Sequence, residues 1–239
     1  MKAQETSFRW IGWLLVASAL ITTVGVIVRG ATLGPISAPV DEVLTRLAAN
    51  RTIIVSITYI MAIGQLIRIP ISLGLHTYLE RRKMPHLMIF TAFGILSGLM
   101  LTLDYYQWPF LNARLADLYT ASDADAVTRR AVEVAYSFSY FGDGFGGNLG
   151  WLGMIIWGVG VSVIMWQTEA FPRWIAGVGL AASLLMIPNY LEFIGNPPLL
   201  DTLGLVGQIL INFWFLAMGV RLLLRPTVEG AMVAPLSPA

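Results

Sequence analysis

Six long apolar stretches govern what this chain can become: residues 10–29, 53–79, 87–106, 145–167, 174–194 and 202–224. A helix needs about 20 such residues to cross about 30 Å of hydrocarbon. Within a bilayer only helices or closed barrels satisfy the backbone. None of the stretches alternates with the period of two that barrel strands require. The fold class is therefore all-α: a polytopic membrane helix bundle of about six transmembrane helices. Of the 239 residues, 56% are hydrophobic and only 12% charged, against about 25% charged in a soluble domain. Lipid is the solvent such a surface fits.

Two compositional facts exclude whole classes of function. The chain has no cysteine, which removes disulfides, iron–sulfur clusters, thiolate zinc sites and cysteine nucleophiles. Its formal net charge is +1, so no basic excess points to nucleic acid. Lys2 and Arg9 precede the first apolar run as in a signal peptide. That run is longer than a cleavable core, and it is read as a retained first span.

Basic residues in the short loops set the expected orientation. Arg81-Arg82-Lys83 and Phe171-Pro172-Arg173 form basic turns on one side, whereas the loop from Gly195 to Asp201 on the other carries no base. Both termini are expected in the cytoplasm. Residues 1–226 are expected to form a single transmembrane domain, and 227–239 a disordered cytoplasmic tail. Two outer segments exceed turns. Residues 40–47 have helical spacing, suited to an interfacial helix, and Ser122-Asp123-Ala124-Asp125 reads as a helix start. Together they predict a small cap of short outer helices.

The second span carries the strongest chemical signal. Thr58, Gln65, Arg68, Ser72 and His76 are spaced seven, three, four and four residues apart. They fall within an arc of about 80° on a helix. An arginine near mid-span must face the bundle interior, water or a carboxylate. Candidate partners are Asp104, Asp143 and Glu192, with Asn148 and Asn189 as neutral polar groups and Pro70 and Pro188 as sources of kinks. The expected site is a polar cavity open to the outer side, with Gln65, Arg68 and Ser72 as floor and Asp143, Asn148, Asn189 and Glu192 as walls. Arg68 with Asp143 is the pair most worth testing; a plain structural ion pair is the competing reading.

Gly142, Gly146 and Gly150 recur every four residues in the fourth span, the spacing of a helix-packing groove. His76 and His86 are the two histidines; haem or metal ligation through them is not expected, and no cofactor is predicted. Tryptophans and tyrosines near span ends, including Trp10, Trp13, Trp108, Trp151 and Trp174, read as interfacial belts.

The order of these features resembles a bacterial family of membrane proteins catalogued as a domain of unknown function (four-three-eight-six). The likeness covers roughly Phe8 to Arg225. It rests on the basic Arg81-Arg82-Lys83 turn, the long outer helix leading into the aspartate-containing fourth span, and Phe171-Pro172-Arg173-Trp174 opening the Gly/Ala-rich helix at 177–182. Arg68 stands where an acid is more usual in that pattern. The resemblance implies a six-helix, multi-pass protein of the bacterial inner membrane, with no established activity or catalytic residues.

Three functional readings follow. The first is a non-enzymatic protein binding a small amphipathic ligand or lipid in the polar cavity. The second is a structural or accessory subunit, partnered by a membrane protein or another copy of itself. The third is a membrane-embedded enzyme or haem protein; no catalytic constellation supports it.

Overall fold

The computed structural model describes residues 8–34, 38–80, 86–137, 140–190 and 198–224, without the side chains of 140–143, 189–190 and 198–201. Every regular element among the described residues is helical. In chain order they are α1 (Arg9–Leu33), α2 (Val40–Ala49), α3 (Arg51–Leu66), α4 (Arg68–Glu80) and α5 (Leu87–Gln107). Then come π1 (Trp108–Asn112), α6 (Ala113–Thr120), α7 (Ala126–Ser137), π2 (Tyr140–Leu149) and α8 (Gly150–Thr168). The last are α9 (Arg173–Leu185), α10 (Ile187–Tyr190) and α11 (Pro198–Leu223).

Five rods are long and apolar enough to cross a membrane: residues 9–33, 51–80, 87–120, 144–168 and 202–223. The expected fifth span, 174–194, differs. Its described part is the 13-residue α9, a break at Met186, and the single turn α10. Pro188 lies just beyond the break and has no N–H to carry the helix ladder back. The second span breaks the same way. Pro70 leaves the Leu66 carbonyl without its i+4 donor, and α3 ends at Leu66. α4 begins at Arg68.

The rods close into a ring in chain order, α1 to α3/α4, α5, α8, α9, α11 and back to α1. Neighbours run antiparallel. Gly25 meets Met61 while Gly74 meets Ile11, and Gly146 meets Asp104 while Gly160 meets Phe90. Gly158 meets Ser183 while Gly179 meets Ser162. Glycines set these approaches. A Cβ on Gly146 would stand 2.7 Å from the Asp104 backbone nitrogen, and one on Gly153 2.9 Å from the Phe93 carbonyl. The ring is sealed where the start of α1 meets the end of α11. A Cβ on Gly12 would lie 2.9 Å from the Gly219 oxygen, and one on Gly219 2.8 Å from the Gly12 oxygen.

Ile11, Leu15, Ile71, Leu75, Met154, Trp157, Trp214, Phe215 and Met218 fill the interior. Outside, Val24, Ile27, Met88, Ile89 and Ile209 are more than half exposed, an apolar periphery that suits lipid and not water.

Over one end sits the expected cap, with a core of its own: Leu33, Val43, Leu44, Leu47, Ile54, Trp108, Leu115, Ala116 and Val132. α2 therefore buries its apolar face against α6 instead of lying free along the interface. Trp108, expected in an interfacial belt, is buried in this core. α7 starts where the sequence signals it: the Thr128 N–H donates to Asp125 Oδ1 at 2.7 Å. That bond and the Thr128 side chain hold the Asp125 carboxyl below its usual range, as an N-cap does. Trp10, Trp13 and Trp174 are exposed, as belt residues should be.

A buried guanidinium in the bundle interior

The kink at Ile67 places Arg68 at the first residue of α4, facing inward. Thr58, Gln65, Arg68 and Ser72 are all buried, Arg68 with 3% of its surface exposed. The polar stripe therefore points to the interior along most of its length; His76, at its end, is half-buried. Turning the arginine to lipid would cost on the order of 3 kcal/mol or more, so the stripe fixes the rotation of the second rod.

Among the described residues, what meets the guanidinium is a thioether and an aromatic ring. Nη1 of Arg68 donates to Met154 Sδ at 3.7 Å, and its Cζ stands 5.5 Å from the centre of the Phe215 ring. Nε is buried with no hydrogen-bond partner among the described residues. Among the described residues no acidic side chain pairs with it. A ring face and a thioether are weak company for a buried cation: a cation–π contact contributes about 0.5–2 kcal/mol, and desolvating an unpaired charge costs far more.

On Arg68's own rod and on the helices packed beside it stand further buried polar atoms that have no partner among the described residues: Gln65 Oε1, Ser72 Oγ, Ser97 Oγ and Trp157 Nε1. Four helices contribute them, Gln65 coming from the end of α3. α4 supplies Arg68 and, one turn on, Ser72; α5 supplies Ser97; α8 supplies Trp157, one turn beyond Met154. Gly94 and Gly98 on α5 make room. Ser72 Oγ and Trp157 Nε1 lie 2.4 and 2.7 Å from where a Gly94 Cβ would be, and Arg68 Cβ lies 3.5 Å from that of Gly98. Phe215 packs on Trp157 at 5.8 Å between ring centres and on Trp214 at 5.7 Å, closing the group from α11. A second unpartnered pair, Ser162 Oγ and Trp214 Nε1, lies 2.4 and 2.5 Å from the Gly179 Cβ position.

Hydroxyls elsewhere in the same bundle behave differently. Thr91, Thr102, Thr168 and Ser183 each donate to the carbonyl four residues back, at 2.9, 2.6, 2.7 and 2.7 Å. Thr58 does the same. That is the ordinary way for a hydroxyl to be satisfied inside a helix bundle. Ser72, Ser97 and Ser162 forgo it. Each buried polar group left unmade costs about 1–3 kcal/mol, so a concentration of them marks a place built for something besides packing.

The other sequence-assigned residues are placed as follows. Asn148 is half-buried in π2 near the cap. Asp143, Asn189 and Glu192 lie outside the described side chains, as does the Arg68–Asp143 pairing. Gly146 and Gly150 press against Asp104 and Leu101 of α5; the side-chain position of Gly142 is outside the described set. Asp104 accepts a hydrogen bond from Gln107 at 3.1 Å. His76 Nδ1 is 2.9 Å from Thr91 Oγ1 and its Nε2 3.6 Å from the Glu80 carboxylate, while His86 is exposed just before α5. Ser97, Trp157, Trp214 and Phe215 were not singled out from the sequence. The available signal was position, since a tryptophan at mid-span has no interface to anchor to.

Nearer the cap a second guanidinium is held by aromatic rings. Arg29, still within α1, stacks over Trp108 with 4.2 Å to the ring centre and over Tyr105 with 5.9 Å. On the cap itself a cleft of about 300 Å³ is lined by Val40, Asp41, Arg130, Glu133, Val134 and Ser137. Arg130 and Glu133 pair within it at 3.0 Å.

A closed ring of helices, five of them of membrane length, apolar outside and holding a buried arginine, defines a class: this is a polytopic integral membrane protein. Within that class the chain belongs to the family described as Domain of unknown function (DUF4386), whose family model matches residues 10–219. No curated protein and no solved structure matches the chain.

Proposed function

We propose that the protein is a non-enzymatic, ligand-binding membrane protein whose bundle interior, centred on Arg68, takes a small amphipathic molecule or a lipid. One observation carries this: a fully charged side chain, 3% exposed, has an unpartnered Nε and no acidic partner among the described residues, amid hydroxyls that decline their usual backbone bonds. Burying such a group without compensation is among the costliest choices a membrane bundle can make. A ligand that supplies the missing partners removes the cost. Gln65, Arg68 and Ser72 form the floor in this reading, and the sequence assigns Asp143, Asn148, Asn189 and Glu192 to walls on the outer, capped side.

The test is native mass spectrometry of the protein extracted in a mild non-ionic detergent. A bound small molecule is expected on the wild-type chain and absent from Arg68→Met, which keeps the side-chain length and removes the charge. Arg68→Met should still elute as a monodisperse species. If wild type carries no adduct and Arg68→Met is equally stable, the chamber reading fails. If Arg68→Met aggregates while Ser72→Ala and Gln65→Leu retain the adduct, the arginine is a structural element only.

A further inference from the structure

The unpartnered atoms beside Arg68 are unequal in kind. Arg68 Nε and Trp157 Nε1 can only donate. The hydroxyls of Ser72 and Ser97 donate as readily as they accept, and Gln65 offers one acceptor, on an amide that also carries two donors. Among the described residues the cluster is thus donor-rich and positively charged, and its unpartnered donors come from α4, α5 and α8. A water can accept from both obligate donors and donate to Gln65 Oε1, but it brings no negative charge to answer the guanidinium.

We infer that the occupant carries an anionic, acceptor-rich head, a carboxylate or a phosphate, and that Trp157 and Ser97 bind it together with Arg68 and Ser72. This rests on the reading of the Arg68 cluster as a ligand site. The geometry favours it in three ways. Arg68 and Ser72 lie one turn apart on the same face of α4, so both address one point. Met154, which touches the guanidinium, lies one turn from Trp157 on α8, which brings the indole N–H to the same side. Gly94 then lets Ser72 Oγ and Trp157 Nε1 converge on the α5 backbone, 2.4 and 2.7 Å from where its Cβ would be. Phe215 and Trp214 offer apolar surface beside the head group. A phospholipid or fatty-acid head and a free phosphate share this chemistry.

The full-length protein in a non-ionic detergent is titrated with dodecyl phosphate, dodecanoate, inorganic phosphate, dodecanol and dodecyltrimethylammonium. Apparent melting temperature and tryptophan emission are followed. The two anionic amphiphiles are expected to raise the melting temperature and perturb emission, with Trp157→Phe removing most of the emission change. Arg68→Gln and Trp157→Phe are each expected to weaken binding at least tenfold. A response to inorganic phosphate as strong as that to dodecyl phosphate identifies a free anion as the ligand; a response to the amphiphiles alone identifies a lipid. Both support the anionic head. Dodecanol or the ammonium binding as tightly as the anions overturns it. If that binding still disappears in Arg68→Gln, the chamber stands and only the anionic head is lost. Anion binding indifferent to both substitutions removes the site altogether. Should Arg68→Gln fail to fold, Trp157→Phe and Ser97→Ala carry the same test, and unchanged anion affinity in both overturns the assignment.

Discussion

Phe171 and Arg173 are neighbours in the turn that marks the family likeness, yet they hold quite different positions. Phe171 is 2% exposed and packs on Tyr78, with 5.5 Å between ring centres. Tyr78 in turn contacts Phe8 and donates to the Ala170 carbonyl at 3.4 Å. Arg173 lies in the open, 67% exposed and paired with an equally exposed Glu169 at 2.8 Å. Pro172 starts α9 by fixing the backbone at its cap. The aromatic thus pins the α8–α9 turn to the end of α4, and the arginine contributes charge at the membrane surface. Phe171→Ala is expected to destabilise the protein by about 3–5 kcal/mol through the cavity it leaves. Arg173→Ala should cost less than about 1 kcal/mol, because exposed pairs are screened. Thermal denaturation of the two variants in one detergent separates them; equal shifts would contradict the placement of Phe171.

Among the elements, the contact between α1 and α11 decides whether the bundle is a ring or an open sheet of rods. It depends on two glycines that meet backbone to backbone, Gly12 and Gly219. Neither helix shows a strong polar stripe to orient it, and close van der Waals packing at small residues is the available glue. Gly219→Ala would set a methyl group 2.8 Å from the Gly12 carbonyl oxygen. Overpacking of this kind costs about 1–3 kcal/mol. Gly30→Ala makes the same change on α1 where nothing lies within 4 Å, and it should stabilise by about 0.5–1 kcal/mol through helix propensity. The same substitution is therefore expected to lower the melting temperature at 219 and raise it at 30. Two shifts of one sign would mean that the first and last helices do not meet at this point.

At the scale of the whole molecule, the cap and the Phe171-Pro172-Arg173 turn lie at opposite ends of the rods, and the start of α1 packs beside the end of α11. If that basic turn lies inside, as the charge rule for loops predicts, the cap would face the outer side and the start of α1 and end of α11 the cytoplasm. The absence of cysteine makes this testable with single introduced thiols. In spheroplasts, a membrane-impermeant maleimide is expected to label Ala135→Cys in the cap and not Glu80→Cys at the end of α4. Opening the membrane should expose both. The reverse pattern would invert the protein and turn the proposed chamber toward the cytoplasm.

Much of this was legible in the residues themselves. Length and apolarity of the stretches fix a helical membrane bundle because the bilayer leaves the backbone no other solution. The stripe through Gln65, Arg68 and Ser72 shows which face turns inward, since a charge can be read at any depth. Asp125 starts its helix for reasons local to four residues. What answers Arg68 was not legible. α8 and α11 have no single dominant apolar face, so periodicity does not say that Trp157 and Phe215, and not their neighbours, turn to the centre. Nor does a list of glycines say which two will touch across more than 200 residues. Those choices belong to the ring as a whole: a side chain faces the interior only once every neighbouring rod has taken its rotation, and close packing, unlike hydropathy, is a property no single segment carries.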